Sequence, residues 1–138
     1  MELDDKIYDQ ITKLCDVGDN LADESDYDNA IKAYNRALEL VPLPKEIWEA
    51  STWIYTAIGD AYFLDRHYNK ALDNFFNAMK CPDGTSNPFI NLRIGECFYE
   101  LKNHDKAKEY LLCAYMLDGE NVFSNEDSCY LNFIKEFL

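Results

Sequence analysis

The chain has 138 residues, 48% of them apolar, which suits one folded domain with its own core and excludes a disordered polypeptide. Twenty-six acidic and thirteen basic residues give a net charge of −13, which argues against nucleic acid or an anionic membrane as partner and favours basic partners. The five cysteines include no C-x-x-C pair, which argues against a disulfide framework or a zinc site. With neither a secretory signal nor a long apolar run in the sequence, we expect a cytoplasmic protein.

Apolar periodicity and turn residues predict seven helices, in chain order at about 3–24, 28–41, 45–64, 68–80, 88–101, 105–117 and 125–137. Pro44 is predicted to lie in the first turn of the third helix, where proline is tolerated. Ser124 is predicted to cap the seventh helix, with Asp127 three residues further on. The seventh helix carries one apolar stripe, which we expect to cover the end of the stack: Tyr130, Phe133, Ile134 and Phe137. A partner-binding or dimer role for this helix is the alternative.

The first six predicted helices form three pairs with one spacing pattern. Each pair has a glycine in its first helix and an alanine twelve residues later in its second: Gly18 and Ala30, Gly59 and Ala71, Gly95 and Ala107. A glycine inside a helix costs about 1 kcal/mol relative to alanine, so we expect these glycines to permit close approach of the paired helices. Of the extra residues between pairs, Leu43–Ala50 are predicted to lengthen the third helix and Thr85–Pro88 to form a loop.

Further positions match at the same offsets in all three segments. They are mostly aromatic or small residues: Tyr27, Tyr34 and Ala37, then Tyr68, Phe75 and Ala78, then His104, Leu111 and Ala114. The pattern resembles the tetratricopeptide repeat across roughly residues 11–121. The resemblance implies an all-α, right-handed α-solenoid in a single domain, 1–138. Its three helix-turn-helix repeats would lie at about 11–44, 52–85 and 88–121, with a C-terminal capping helix at about 125–137.

No residue pattern points to catalysis. The sequence contains no Gly-rich phosphate loop, no G-x-S-x-G elbow and no H-E-x-x-H motif. His67 and His104 fall in turns of different helix pairs, and the acidic stretch 16–28 lacks the spacing of a calcium loop. We therefore predict that the protein is not an enzyme, binds no cofactor and holds no metal.

The resemblance implies that the first helix of each pair lines a concave groove. Partner-binding residues predicted there are acidic or aromatic: Asp19, Asp23, Trp53, Asp60, Phe63, Phe89, Glu96 and Tyr99. Aromatic side chains carry much of the energy of protein interfaces, so we expect a protein partner of basic or mixed basic and apolar character. The protein itself would be a monomer or a weak dimer. Two alternatives stay open: Trp53 and Phe89 pack beneath a neighbouring helix, or the partner binds the outer face or the acidic first helix around Asp4, Asp5 and Asp9.

Two kinds of protein-binding role fit these features. The region Val41–Glu120, which contains the segments Trp48–Trp53 and Tyr115–Glu120, resembles small bacterial repeat proteins of toxin systems. That resemblance implies an immunity protein that binds and neutralises a basic toxin domain, and this is the main functional prediction. The alternative is an adaptor or secretion-type chaperone that scaffolds a partner protein.

Overall fold

Residues 2–138 are described by a computed structural model, and this part of the chain forms seven α-helices and no strand. Their bounds are α1 Asp5–Asp23, α2 Tyr27–Leu40, α3 Glu49–Leu64, α4 Tyr68–Met79, α5 Pro88–Glu100, α6 His104–Asp118 and α7 Ser128–Lys135. Short 3-10 turns precede α3, at Lys45–Ile47, and follow α6, at Gly119–Phe123. None of the helices within residues 2–138 is long and apolar enough to span a membrane.

The helices pack as three antiparallel pairs, α1–α2, α3–α4 and α5–α6, and consecutive pairs stack through α2 with α3 and α4 with α5. The turn between the two helices has the same conformation in all three pairs. Ser25, Arg66 and Lys102 each take a positive φ, from 62° to 67°. The next residue's N–H then donates back to a carbonyl oxygen of the helix that is ending, as from Asp26 to Leu21 at 2.9 Å. This turn satisfies carbonyl groups that a helix end leaves unpaired.

The glycine of each pair lies where the two helices touch, which confirms the predicted close approach. A Cβ atom built on Gly59 would lie 2.9 Å from ring atoms of Phe75. One built on Gly95 would lie 2.6 Å from Cγ of Leu111 and 2.9 Å from its backbone nitrogen. Non-bonded carbon atoms prefer about 3.5–4.0 Å, so a larger residue forces the helices or the facing side chain apart.

The predicted start of the third helix, at residue 45, is wrong. Backbone ψ at Trp48 is 135°, so α3 begins only at Glu49 and Pro44 lies outside it. The Lys45 ammonium group instead donates to the carbonyl oxygens of Leu38 and Val41, at 2.7 and 2.8 Å, and so caps the end of α2. Lys45 in the inserted stretch therefore caps the preceding helix, and only Glu49 and Ala50 belong to the next one.

The predicted start of the last helix also needs correction. The helix begins at Ser128, and its cap is Asp127, whose side chain accepts a hydrogen bond from the Cys129 N–H at 2.9 Å. Ser124 lies earlier, and its hydroxyl donates to the carbonyl oxygen of Asn121. The predicted docking is confirmed, because the apolar face of α7 packs against α5 and α6. The core there contains Leu92, Leu111, Ala114, Phe123, Tyr130 and Ile134.

Candidate partner-binding groove

The predicted groove residues differ widely in exposure. Asp19, Asp23 and Trp53 are exposed, and these come from α1 and the beginning of α3. Residues further along are partly buried: Asp60, Phe63, Phe89 and Tyr99. Glu96, in the middle of α5, is fully buried. The groove is therefore open along α1 and the beginning of α3 and closed at α5.

Two contacts define the open part. The Asp19 carboxylate accepts a hydrogen bond of 2.6 Å from the Tyr34 hydroxyl, which holds this acid at the surface between α1 and α2. Burial, with help from the negative charge of Asp19, raises the pKa of Tyr34, so the hydroxyl keeps its proton. Trp53 is 48% exposed and meets the ring of Tyr8 edge to face, with 6.2 Å between the ring centres. The open part therefore has an exposed acid near the end of α1 and an exposed aromatic pair near its beginning.

A buried cation organises the closed part. The Arg93 guanidinium donates to Asp60 Oδ1 at 2.7 Å, to Glu96 Oε1 at 2.7 Å, and to Glu126. Its central carbon, Cζ, lies over two aromatic rings, 4.4 Å from the centre of Phe63 and 4.8 Å from that of Phe89. Burial alone would lower the pKa of Arg93, but the three acidic neighbours outweigh it and raise the pKa. We call Arg93, Asp60, Glu96 and Glu126 the arginine cluster.

Glu96 is the unusual member of the arginine cluster. Burial raises its pKa to about 9, and the hydrogen bond to Glu126 adds to this shift, while Arg93 opposes it. Glu96 is therefore protonated at neutral pH. Its Oε2 atom is buried and has no hydrogen-bond partner among residues 2–138. With Glu96 protonated, the net charge of the arginine cluster is −1 rather than −2, because only Asp60 and Glu126 oppose the charge of Arg93.

The segment that follows α6 covers the groove at α5. Glu126 reaches Arg93 from this segment, and the Tyr130 hydroxyl donates to Glu100 Oε1 at 2.7 Å. The Tyr99 ring lies between the rings of Tyr130 and Phe133, at centre distances of 5.4 and 5.2 Å. Of the predicted binding residues, Glu96 and Tyr99 are thus placed beneath the C-terminal segment rather than on a free surface.

Two stretches of the sequence match family models described as tetratricopeptide repeat, over residues 14–42 and 91–112. The first stretch contains α2 with the end of α1, and the second contains most of α5 and the beginning of α6. The chain is a tetratricopeptide-repeat (TPR) protein. The pair α3–α4, between the two matched stretches, packs in the same way and completes three TPR units.

Solved TPR-type structures match almost the whole chain at low identity. The type III secretion chaperone SycD of Yersinia enterocolitica, solved with a peptide of the translocator YopD, gives a TM-score of 0.74 at 14% identity, over 93% of this chain and 92% of that chain. MamA gives a TM-score of 0.67 at 15% identity, over 91% and 75%. The CopN-Scc3 complex gives 0.65 at 15%, over 91% and 65%. These likenesses establish the fold. No curated protein matches the sequence.

The repeat pattern predicts which residues of the first helices face the groove, but it does not predict which acidic side chains surround Arg93. Glu126 is absent from the predicted site, although it completes the coordination of Arg93. It lies between the 3-10 turn and α7, outside every repeat, and 33 residues from Arg93. Its neighbours in the sequence give no periodic signal that would reveal the contact.

We expect Glu96→Gln to change how the stability of this TPR protein depends on pH. The amide has the same shape and its oxygen still accepts from Arg93, but it has no carboxyl group to ionise. The pKa of Glu96 is about 9 in the folded protein and near the ordinary value of 4.5 in the unfolded chain, so the folded state binds more protons between these values. Wild type therefore loses stability relative to the variant as pH rises from 5 to 9, by at most about 1.4 kcal/mol per pH unit.

Urea unfolding at pH 5, 6, 7 and 8 measures this effect. The two proteins should agree near pH 5, and the variant should become progressively the more stable. Glu109→Gln, at an exposed position on α6, is the matched control and should show a constant difference from wild type. A constant difference for Glu96→Gln as well would mean that Glu96 is ionised in the folded protein.

Proposed function

We propose that this protein is a non-catalytic scaffold that binds an unfolded or extended segment of another protein, as an adaptor or a secretion-type chaperone does. The supporting observation is the fold match to SycD, which runs through 93% of this chain and 92% of that chain. That protein was solved with a peptide of its translocator, so this arrangement of helices holds a peptide in one case.

The open part of the groove supports a partner of basic and apolar character. It presents carboxylates at Asp19 and Asp23 towards the end of α1, and the exposed ring of Trp53 beside the beginning of α1. The chain as a whole carries a net charge of −13, which steers basic partners towards it. An extended segment bearing lysine or arginine beside apolar side chains would satisfy both features of this surface.

The immunity-protein role predicted from the sequence has no support from the comparisons. SycD is a secretion chaperone by its description, and neither MamA nor the CopN-Scc3 complex is described as a toxin inhibitor. A simple experiment separates the two roles. Co-expression with a chaperone keeps the captured partner soluble without abolishing its activity, whereas co-expression with an inhibitor abolishes a toxic activity.

Trp53→Ala is expected to weaken binding of the captured partner by about 2 kcal/mol or more, mainly through a faster off-rate. An exposed aromatic at the centre of an interface contributes on this scale. Surface plasmon resonance with the purified partner measures both rates. The on-rate should fall as salt rises from 0.1 to 1 M, because the Debye length shrinks from about 10 Å to 3 Å.

The matched control is Met116→Ala. Met116 is 85% exposed on α6, the second helix of its pair, and lies away from the proposed surface. Its replacement should leave both rates unchanged. Equal weakening by Met116→Ala and Trp53→Ala, or no weakening by Trp53→Ala, would place the partner on another surface.

A further inference from the structure

A cleft of about 680 Å³ lies where α1 and α3 begin, at one end of the open groove. Three aromatic side chains and three acidic side chains line it: Tyr8, Trp48, Trp53, Glu2, Asp5 and Glu49. The sequence analysis identified only Trp53 among them as a binding residue. The cleft forms because the turn before α3 places Trp48 beside the beginning of α1.

The aromatic walls of the cleft are held in place but remain accessible. The Trp48 indole N–H donates to the carbonyl oxygen of Pro42 at 3.0 Å, which fixes the orientation of that ring. Trp53 and Tyr8 meet edge to face, and they are 48% and 43% exposed. Ring faces of tryptophan and tyrosine attract cations, and Trp is the strongest of the aromatic residues in this respect. The cleft therefore has surfaces prepared for a positively charged group.

Within the described residues 2–138, the acidic side chains of the cleft lack a cation of their own. Among residues 2–138, Glu2, Asp5 and Glu49 form no ion pair, and no lysine, arginine or histidine lines the cleft. The arginine cluster shows the contrast, since its carboxyl groups surround Arg93. Asp5 and Glu49 also stabilise the first turns of α1 and α3, and both side chains still border the cleft.

We propose that this cleft binds a lysine or arginine side chain of an extended partner segment. The cation lies against the rings of Trp48 and Trp53, within reach of Asp5 and Glu49, and an apolar neighbour in the segment packs on the exposed side chain of Ile47. The proposal rests on the proposed function, because Trp53 belongs to both the cleft and the open groove. To that function the cleft adds two details: the place where the charge of the partner is bound, and the type of residue that carries this charge.

The chain contains only two tryptophans, and both line the cleft, so their indole N–H resonances report on it directly. The probe is the peptide acetyl-Leu-Arg-Leu-amide, titrated into the ¹⁵N-labelled full chain. Its comparison is the same peptide with citrulline, which has the shape of arginine without the charge. We expect both indole resonances to shift and saturate with the arginine peptide, and the citrulline peptide to bind at least tenfold more weakly.

Paired variants separate the cleft from the overall charge. Asp5→Asn with Glu49→Gln should weaken the arginine peptide at least fivefold. Glu39→Gln with Asp73→Asn removes the same charge from exposed positions on α2 and α4 and should leave the affinity unchanged. Thermal melts check that each double variant is folded at the temperature of the titration.

Three results would overturn the proposal: shifts that never saturate, equal affinity for the two peptides, or equal weakening by the two double variants. The peptide titration needs no partner, so it fails or succeeds independently of the proposed function. Intact peptide binding with no captured partner would contradict the scaffold role alone. Partner capture that depends on Trp53 without any preference for arginine would contradict the cleft alone.

Discussion

Arg93→Met is expected to destabilise the protein by about 3–5 kcal/mol, the range found when one partner of a buried ion pair is removed. The methionine fills much of the same space but leaves the carboxyl groups of Asp60, Glu96 and Glu126 without their shared donor. It also removes the cation from the rings of Phe63 and Phe89. The free energy of unfolding in urea, at pH 7, measures the loss.

Arg36→Met is the matched control for this change. Arg36 is exposed on α2, and surface replacements of this kind usually change stability by no more than about 0.5 kcal/mol. A similar small effect of Arg93→Met would show that the three carboxyl groups gain little from the guanidinium. It would also mean that the C-terminal segment is held by its apolar contacts and the Tyr130–Glu100 hydrogen bond, without help from Arg93.

Gly95→Leu is expected to destabilise the protein by about 3 kcal/mol or more, at the upper end of what overpacking of a core costs. Even the first carbon of the new side chain would overlap Leu111, including its backbone nitrogen at 2.9 Å. Gly59→Leu should be destabilising as well, but less so, because the atoms that oppose it belong to the ring of Phe75 and can shift. Melting temperatures of the two variants, compared by calorimetry, test this order.

Glu109→Leu is the control, since it adds a leucine to the exposed surface of α6. Its melting temperature should stay close to that of wild type. If Gly95→Leu had the same melting temperature as Glu109→Leu, the paired helices α5 and α6 would have to be further apart than the structure places them. An inverted order of the two glycine variants would mean that the backbone of α6 yields more easily than the Phe75 ring.

Local patterns were sufficient to predict the helices and their pairing. Each pair carries its own periodicity, and Gly18, Gly59 and Gly95 mark the contact within a pair at constant spacing, so the information is close in sequence to the structure it specifies. The start of α3 was missed for the opposite reason. Lys45 lies in a stretch of helical composition, but its ammonium group bonds to carbonyl groups at the end of α2.

The same distinction explains the candidate site. Asp19 and Trp53 were predicted as groove residues and are exposed, although Asp19 bonds to Tyr34 and Trp53 meets Tyr8. Glu96 has the same position in its helix as Asp19, yet it is buried. What covers it is the segment around Glu126, and no periodic pattern in that segment indicates where it packs.

The arginine cluster affects how the protein unfolds. In a stack of repeats each unit usually contacts only its neighbours, so unfolding can proceed one unit at a time. Arg93 is held by side chains from α3, from α5 and from the segment before α7, which joins these parts into one cooperative block. The α1–α2 pair lies outside the block. We therefore expect the first helix pair to unfold as a separate step, at a lower free energy than the block.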